Sequence, residues 1–209
     1  MEISDLRREY SNLTLRRSSL LLNPFDQFRK WFNEAIEYPI LEPNAMQLAT
    51  TDCVTPSIRT VLLKGIETDA FVFYTNLHSR KALDLKRNNH ASLLFFWREM
   101  DRQIIIEGTV ERVSNADAEL YFATRPRTSQ IGAWSSHQGS SIDSRETLEN
   151  KFKEFSEKFQ GKKVPMPDFW GGFRVFPTRF EFWQGRPFRL HDRFSYTKEL
   201  DWKIERLSP

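Results

Sequence analysis

The feature that most constrains this chain is a change of hydrophobic period. Between Asn23 and Pro39, apolar side chains fall at three- and four-residue spacing (Phe25, Phe28, Trp31, Phe32, Ala35 and Ile36). They form one stripe along a helix that Asn23 caps, Pro24 opens and Pro39 ends. From Ala45 the period drops to two: Met46, Leu48 and Thr50 alternate with Gln47, Ala49 and Thr51. After a turn at 52–56, residues 58–64, 70–75, 91–97 and 103–113 read as strands rich in Val, Ile, Phe and Thr. Gly108 inside the last of them predicts a bulge or bend. Helices are expected over 79–88, with Ser79 as cap and Leu83 on the inner side, over 115–124 behind Ser114 or Asn115, from Pro126 onward, and over 144–159. Strands return at 173–176, 179–184, 188–194 and 202–206. This is the pattern of a mostly β (α+β) domain over residues 23–209, with peripheral helices covering a closed sheet. An arm precedes it at residues 1–22, where LRREY and LRRSS set paired arginines beside leucine without helical period.

Composition narrows the function. Phe, Trp and Tyr make up 14% of the chain, enough to fill a β core and to wall a planar ligand. Lys and Arg exceed Asp and Glu by only three charges, which leaves little electrostatic drive toward nucleic acid. No apolar run exceeds five residues, far short of the roughly 20 that a membrane-spanning helix needs, so no membrane partner is expected. An acidic opening with no apolar stretch behind it predicts no secretory signal and a cytoplasmic chain. Cys53 is alone, which excludes an internal disulfide and a Cys-based zinc site. His78, His90, His137 and His191 lie at wide, irregular separations, so no metal site is expected. The chain has no Walker loop, no GxGxxG after a strand, no HExxH and no GxSxG.

What recurs is Arg or Lys beside hydroxyls at element ends. Arg59 and Lys64 bracket Thr60-Val61-Leu62-Leu63, and in a straight strand they would face opposite ways. Tyr74-Thr75 ends the next strand and Ser79-Arg80-Lys81 opens a helix, where N–H groups and two cations suit a phosphate. Tyr121, Arg125 and Ser129 stand four apart, a second phosphate-competent set, although Pro126 pushes Arg125 out of helical geometry. Near the C-terminus come Trp183, Arg189, His191 and Arg193; in a strand the last three share a face. Three potential cations on one face are costly to bury without an anion, so that face is either wet or covered by something negative and planar. Two phosphate-competent sets and an aromatic–arginine wall suggest two phosphorylated planar ligands.

The blocks RTVLLK (59–64), FVFYTN (71–76), SRKA (79–82), RQIIIEG (102–108), YFATRPRTSQIGAW (121–134), FWGGFRV (169–175), EFWQG (181–185) and RLHDRF (189–194) closely resemble the pyridoxine/pyridoxamine 5′-phosphate oxidase family, in order and over essentially the whole chain. The resemblance implies an FMN-binding split β-barrel, homodimeric, with each FMN site at the interface between chains. It implies oxidation of pyridoxamine 5′-phosphate or pyridoxine 5′-phosphate to pyridoxal 5′-phosphate, with O2 reduced to H2O2. Carried over motif by motif, the FMN set is Arg59, Thr60, Val61, Leu62, Leu63, Lys64, Tyr74, Thr75, Arg80, Lys81, Gln103, Gln138, Gly139, Trp183 and Arg193. The substrate phosphate would lie on Lys64, Tyr121, Arg125 and Ser129. Arg189 and His191 would face the pyridine ring as the catalytic pair, and Arg7 and Tyr10 of the arm would close over it. Three departures stand out: Gly139 where the family usually has Ser, a turn at 52–56 without the usual glycine, and Glu42 where a shorter acidic residue is also found. A non-catalytic flavin- or haem-binding protein on the same barrel is the alternative reading; it would not need Tyr121, Arg125 and Ser129 together with RLHDR.

Overall fold

In a computed structural model describing residues 2–6, 8–10 and 13–209, the period-two stretches pair into a single nine-stranded antiparallel sheet. The strands are β1 (Ala45–Thr51), β2 (Pro56–Leu62), β3 (Gly65–Ile66), β4 (Phe71–Asn76), β5 (His90–Trp97), β6 (Arg102–Arg112), β7 (Trp170–Gln184), β8 (Asp192–Lys198) and β9 (Trp202–Leu207). The helices are α1 (Pro24–Glu37), α2 (Arg80–Arg87), α3 (Asn115–Thr124), α4 (Arg127–Ser135) and α5 (Arg145–Lys158). The strand order is β2-β1-β5-β6-β7-β4-β3, with β8 and β9 added beside β7. Because β2 and β3 are successive pieces of one segment, the first bonds β1 at one edge and the second bonds β4 at the other. The sheet therefore rolls into a barrel. At the crossover the Leu63 amide donates to Asn44 (2.9 Å) and the Lys64 amide to Val72 (2.8 Å).

The stretches expected at 173–176 and 179–184 are one strand. β7 runs alongside β6 throughout, pairing β4 with its first half and β8 with its second. Between the halves sits the bulge that Gly108 predicted: Gly108 opposes Pro177, Glu107 opposes Arg179, and Thr178 falls out of the β6 register. A Cβ at Gly108 would stand 2.1 Å from the Phe176 carbonyl oxygen, so only glycine fits there.

Helix α1 lays its stripe into the barrel. The Phe28 ring meets Phe71 at 4.8 Å and Phe95 at 5.0 Å, and Trp31 meets Phe182 at 5.3 Å. Phe28 has no exposed surface, and truncating it to Ala would cost about 3–5 kcal/mol. Ile36, at the end of the stripe, is exposed. A second cluster packs Val72, Val113, Phe122, Ile131, Phe159 and Trp170 beneath the helices. Strand β4 is thus covered on both faces, which is why its sequence is apolar without alternation.

Two expectations are corrected. Leu83 is exposed, because α2 turns Lys81, Ala82, Asp84 and Leu85 inward. Residues 188–194 are not one strand: a 3₁₀ turn at Pro187–Arg189 precedes β8, with Phe188 at φ 58° and Arg189 at φ 63°. The turn at 52–56 works without glycine. Cys53 takes φ 76°, and the Asp52 carboxylate accepts from the amides of Val54 (3.0 Å) and Thr55 (2.8 Å), which lowers its pKa. Of the N-terminal segment, Leu15 and Leu20 are buried; the Leu15 amide donates to Asp192 and the Tyr196 hydroxyl to the Leu21 carbonyl. Among the described residues, no helix is long and apolar enough to cross a membrane.

Candidate active site

A cavity of about 870 Å³ opens between β2, the end of β4, the start of α2 and the α3–α4 corner. Of the residues singled out in the sequence, it collects Arg59, Thr60, Val61, Leu62, Lys64, Tyr74, Thr75, Arg80, Lys81, Tyr121, Arg125, Ser129, Gln138 and Gly139. Arg59 and Lys64 line it together because the chain leaves β2 at Leu62 and crosses to β4, so straight-strand alternation no longer applies. Leu63 is the exception among its neighbours: its side chain is buried in the barrel core.

Two cations of this cavity, Lys81 and Arg59, direct their hydrogen bonds to neutral groups. Lys81 Nζ donates to Thr75 Oγ1 (3.1 Å), Ser79 Oγ (3.2 Å) and Gln138 Oε1 (3.0 Å). Burial, and then the neighbouring Arg59, push the Lys81 ammonium down to about 8. Arg59 Nη1 donates to the Leu48 carbonyl (3.0 Å) and Thr50 Oγ1 (2.7 Å), and Nη2 donates to Ser57 Oγ. Arg125 sits in the break between α3 and α4, as Pro126 requires. Its Nη1 is buried without a hydrogen-bond partner, and burial lowers its pKa. A buried guanidinium nitrogen with nothing to donate to is costly, and an anionic ligand would relieve that cost.

Beside these cations stands a wall of rings. Tyr74 stacks on Tyr121 at 4.0 Å and on Trp170 at 5.4 Å, with interplanar angles of 11° and 3°. The Arg125 guanidinium lies 5.0 Å from the Trp170 ring centre. Burial raises the pKa of both tyrosines, so each keeps its phenolic proton as a donor. Sequence reading missed Trp170 and Ser57 as cavity residues. Ser57 was legible, since it alternates with Arg59 on β2; Trp170 was not, because only the β4–β7 register brings it to Tyr74.

The remaining candidates gather elsewhere. Gln103, Trp183 and Arg193 are direct neighbours across β6, β7 and β8. None of them lines the cavity, and neither do Arg189, His191 or Tyr10. Gly172, opposite Tyr74, and Trp183 are separated by about 35 Å of strand contour. Here Arg193 donates from Nε to Glu181 (2.9 Å) and from Nη1 to the Ser208 carbonyl (2.8 Å). The 3₁₀ turn takes Arg189 off the strand, so it does not share a β8 face with Arg193; its guanidinium lies 5.6 Å from the Tyr10 ring centre. Tyr10 also meets Trp183 and His191 edge-on, at 5.7 and 5.1 Å. His191 Nδ1 accepts from the Arg186 amide (3.1 Å), which leaves the proton on Nε2. Burial, with Arg189 and Arg193 nearby, lowers its pKa and keeps it neutral. Arg7 lies outside the described residues. Glu42, at φ 55° in the exposed turn before β1, does not line the cavity.

The donor set fits a flavin mononucleotide. Basic side chains and hydroxyls at the α2 start suit its phosphate, and the ring wall of Tyr74 and Trp170 suits a planar group. Gly139, at φ 91°, has open space where a side chain would begin. Among the described residues, no three His, Cys, Asp or Glu side chains come together as they would around a metal ion.

A family model described as pyridoxamine 5′-phosphate oxidase matches residues 32–159. A second, described as the pyridoxine 5′-phosphate oxidase C-terminal dimerisation region, matches residues 170–209. The chain is 54% identical to a pyridoxine/pyridoxamine 5′-phosphate oxidase of Crocosphaera subtropica, with all of both chains covered. It is 51% identical to that of Yersinia enterocolitica, covering 100% of this chain and 97% of the relative. Among solved structures, PhzG from Burkholderia lata, in complex with tetrahydrophenazine-1-carboxylic acid, superposes with a TM-score of 0.90 at 28% identity, covering 97% of this chain and 100% of that one. A pyridoxamine 5′-phosphate oxidase-related, FMN-binding protein of Nostoc punctiforme shares the fold, with a TM-score of 0.70 at 15% identity, covering 91% and 100%.

Proposed function

The chain belongs to the pyridoxamine 5′-phosphate oxidase family, and from that premise we propose that it oxidises pyridoxamine 5′-phosphate and pyridoxine 5′-phosphate to pyridoxal 5′-phosphate, with FMN as cofactor and O2 reduced to H2O2. The observation that carries this reading is the joining of both phosphate-competent sets in one cavity, with Arg125 Nη1 buried and unsatisfied. Bound FMN supplies the two-electron acceptor that no side chain of this protein provides.

The residues then divide the work. Arg59, Arg80 and Lys81, with Thr75 and Gln138, hold the cofactor; Lys64, Tyr121, Arg125 and Ser129 hold the substrate phosphate. Anchoring each ligand at its charged end fixes the distance between the rings with binding energy from non-reacting parts. Gln103, Trp183 and Arg193 would contact the flavin, and Arg189, His191 and Tyr10 the pyridine side, from the partner subunit. A homodimer with sites at its interface is supported by how far apart one chain carries the two groups along β7. The chain carries the family's dimerisation region. Its outer sheet face also leaves Phe96 and Ile58 exposed, as an uncovered interface would. His191, neutral and protonated on Nε2, offers the substrate a hydrogen-bond donor. We assign the chain to the cytoplasm.

The test is direct. The purified protein is expected to be yellow, to sediment as a dimer, and to consume O2 when given pyridoxamine 5′-phosphate. A yellow protein inert toward that substrate would leave a flavin carrier; a colourless one that binds no added FMN would remove the reading altogether.

A further inference from the structure

We propose that Asp84, acting through Thr50, is a positioning residue that fixes the Arg59 guanidinium for the phosphate of the cofactor. Asp84 is only 4% exposed, on the inward face of α2, one turn beyond Lys81. Thr50 Oγ1 donates to Asp84 Oδ2 (2.7 Å) while accepting from Arg59 Nη1 (2.7 Å), so the relay runs in one direction from guanidinium to carboxylate. The second guanidinium nitrogen, Nη2, lies 3.8 Å from the same carboxylate oxygen.

The arrangement leaves Arg59 with work to do. Nη1 spends both of its hydrogens on Leu48 and Thr50, and Nη2 spends one on Ser57. Of the five N–H groups of a guanidinium, Nε–H and one on Nη2 remain. Arg59 lines the cavity, so these remain for a ligand there. Asp84 makes no direct hydrogen bond to Arg59, so the two unspent N–H groups stay available to an anion while the guanidinium plane is held. Burial disfavours the charged form of Arg59, and Asp84 counters it. Arg59 disfavours the charge of Lys81, and Asp84 supplies a counter-charge beside Arg59.

This inference rests on the cavity being the FMN site, and the experiment separates the two. FMN affinity of the flavin-stripped, full-length chain is measured by quenching of flavin fluorescence for wild type, Asp84→Asn, Thr50→Val, Thr50→Ser, Arg59→Ala and the Asp84→Asn/Arg59→Ala double variant, with riboflavin as the phosphate-free control. Asp84→Asn and Thr50→Val are each expected to weaken FMN binding about 10- to 100-fold, by analogy with the loss that follows removal of a supporting hydrogen-bond partner at metal sites. Thr50→Ser should restore it, and riboflavin affinity should hardly change. In the Arg59→Ala background, Asp84→Asn should cost nothing further. Equal losses in both backgrounds, or wild-type affinity in Asp84→Asn, overturn the proposal. If Asp84→Asn does not fold, the Thr50→Val and Thr50→Ser pair decides it. Failure of the wild-type chain to bind FMN would instead sink the functional reading on which the proposal stands.

Discussion

The two ends of β7 treat positive charge in opposite ways. At the cavity end Lys64, Arg80, Lys81 and Arg125 make no carboxylate ion pair within 4 Å among the described residues, Lys81 is held by two hydroxyls and an amide, and Arg59 has Asp84 nearby at 3.8 Å without a direct hydrogen bond. At the β8 end Arg193 pairs with Glu181 at 2.7 Å, Arg206 with Asp192 at 2.8 Å and Arg186 with Asp192 at 3.6 Å. A cation already neutralised can orient a planar ligand or cover a ring but has little left for a dianion. A cation held only by neutral groups keeps its charge for a ligand. On the proposed reading, the cavity end is the one that takes phosphate.

The largest effect should come from the cavity end. Arg125→Ala and Lys64→Ala each remove a charge-assisted contact worth about 1.5–3 kcal/mol, raising KM for pyridoxamine 5′-phosphate roughly 10- to 100-fold. The double variant should lose most of its preference over unphosphorylated pyridoxamine. Steady-state kinetics with both substrates check this; an unchanged preference would break the contrast between the two ends.

A smaller effect is expected at the β8 end, and it should split. Arg193→Met should reduce bound FMN, with affinity down about tenfold, because Arg193 pairs with Trp183, which Gln103 faces from its other side. Arg189→Met should stay yellow and lose kcat/KM, since its guanidinium stands over Tyr10 rather than in the β8 ladder. A colourless Arg189→Met with a normal Arg193→Met would reverse the two roles.

The smallest effect is a pH dependence. Lys81 falls from its ordinary 10.5 to about 8 in the fold, so the unfolded chain holds that proton more tightly between the two values. Through this group alone, the ligand-free protein gains stability as pH rises across that window. FMN affinity runs the other way, falling above about pH 8 by at most about tenfold per unit as the ammonium is lost. Titration of FMN binding from pH 7 to 9.5, in wild type and in Lys81→Arg, reads this out; the variant should be flat.

How much of this was legible beforehand depended on whether a contact is local. The period change at Ala45, the caps at Asn23 and Ser114 and the bulge at Gly108 are written in short stretches, and each stands where the spacing put it. Both phosphate-competent sets were readable from residue types, because cations and hydroxyls cluster within a turn. Their union was not, since it depends on the crossover at Leu63 and Lys64 that carries the chain from β2, beside β1, to β3, beside β4. The turn at Pro187–Arg189 was lost for another reason: two successive non-glycine residues at positive φ contradict their own propensities. Asp84 was invisible because a charge inside a KALDLK helix looks like a solvated face until the fold turns it inward.

The length of β7 has a genetic consequence. If each chain lends its cavity to one site and its β8 end to the other, two differently damaged chains can repair one another. A chain carrying Arg125→Ala paired with a chain carrying Arg189→Met builds one site with both lesions and one with neither. Two alleles hit at opposite ends of the strand should complement when co-expressed, while two hit at the same end should not. A map of such pairs would trace the boundary between the halves of the molecule, and it should fall at the bulge opposite Gly108.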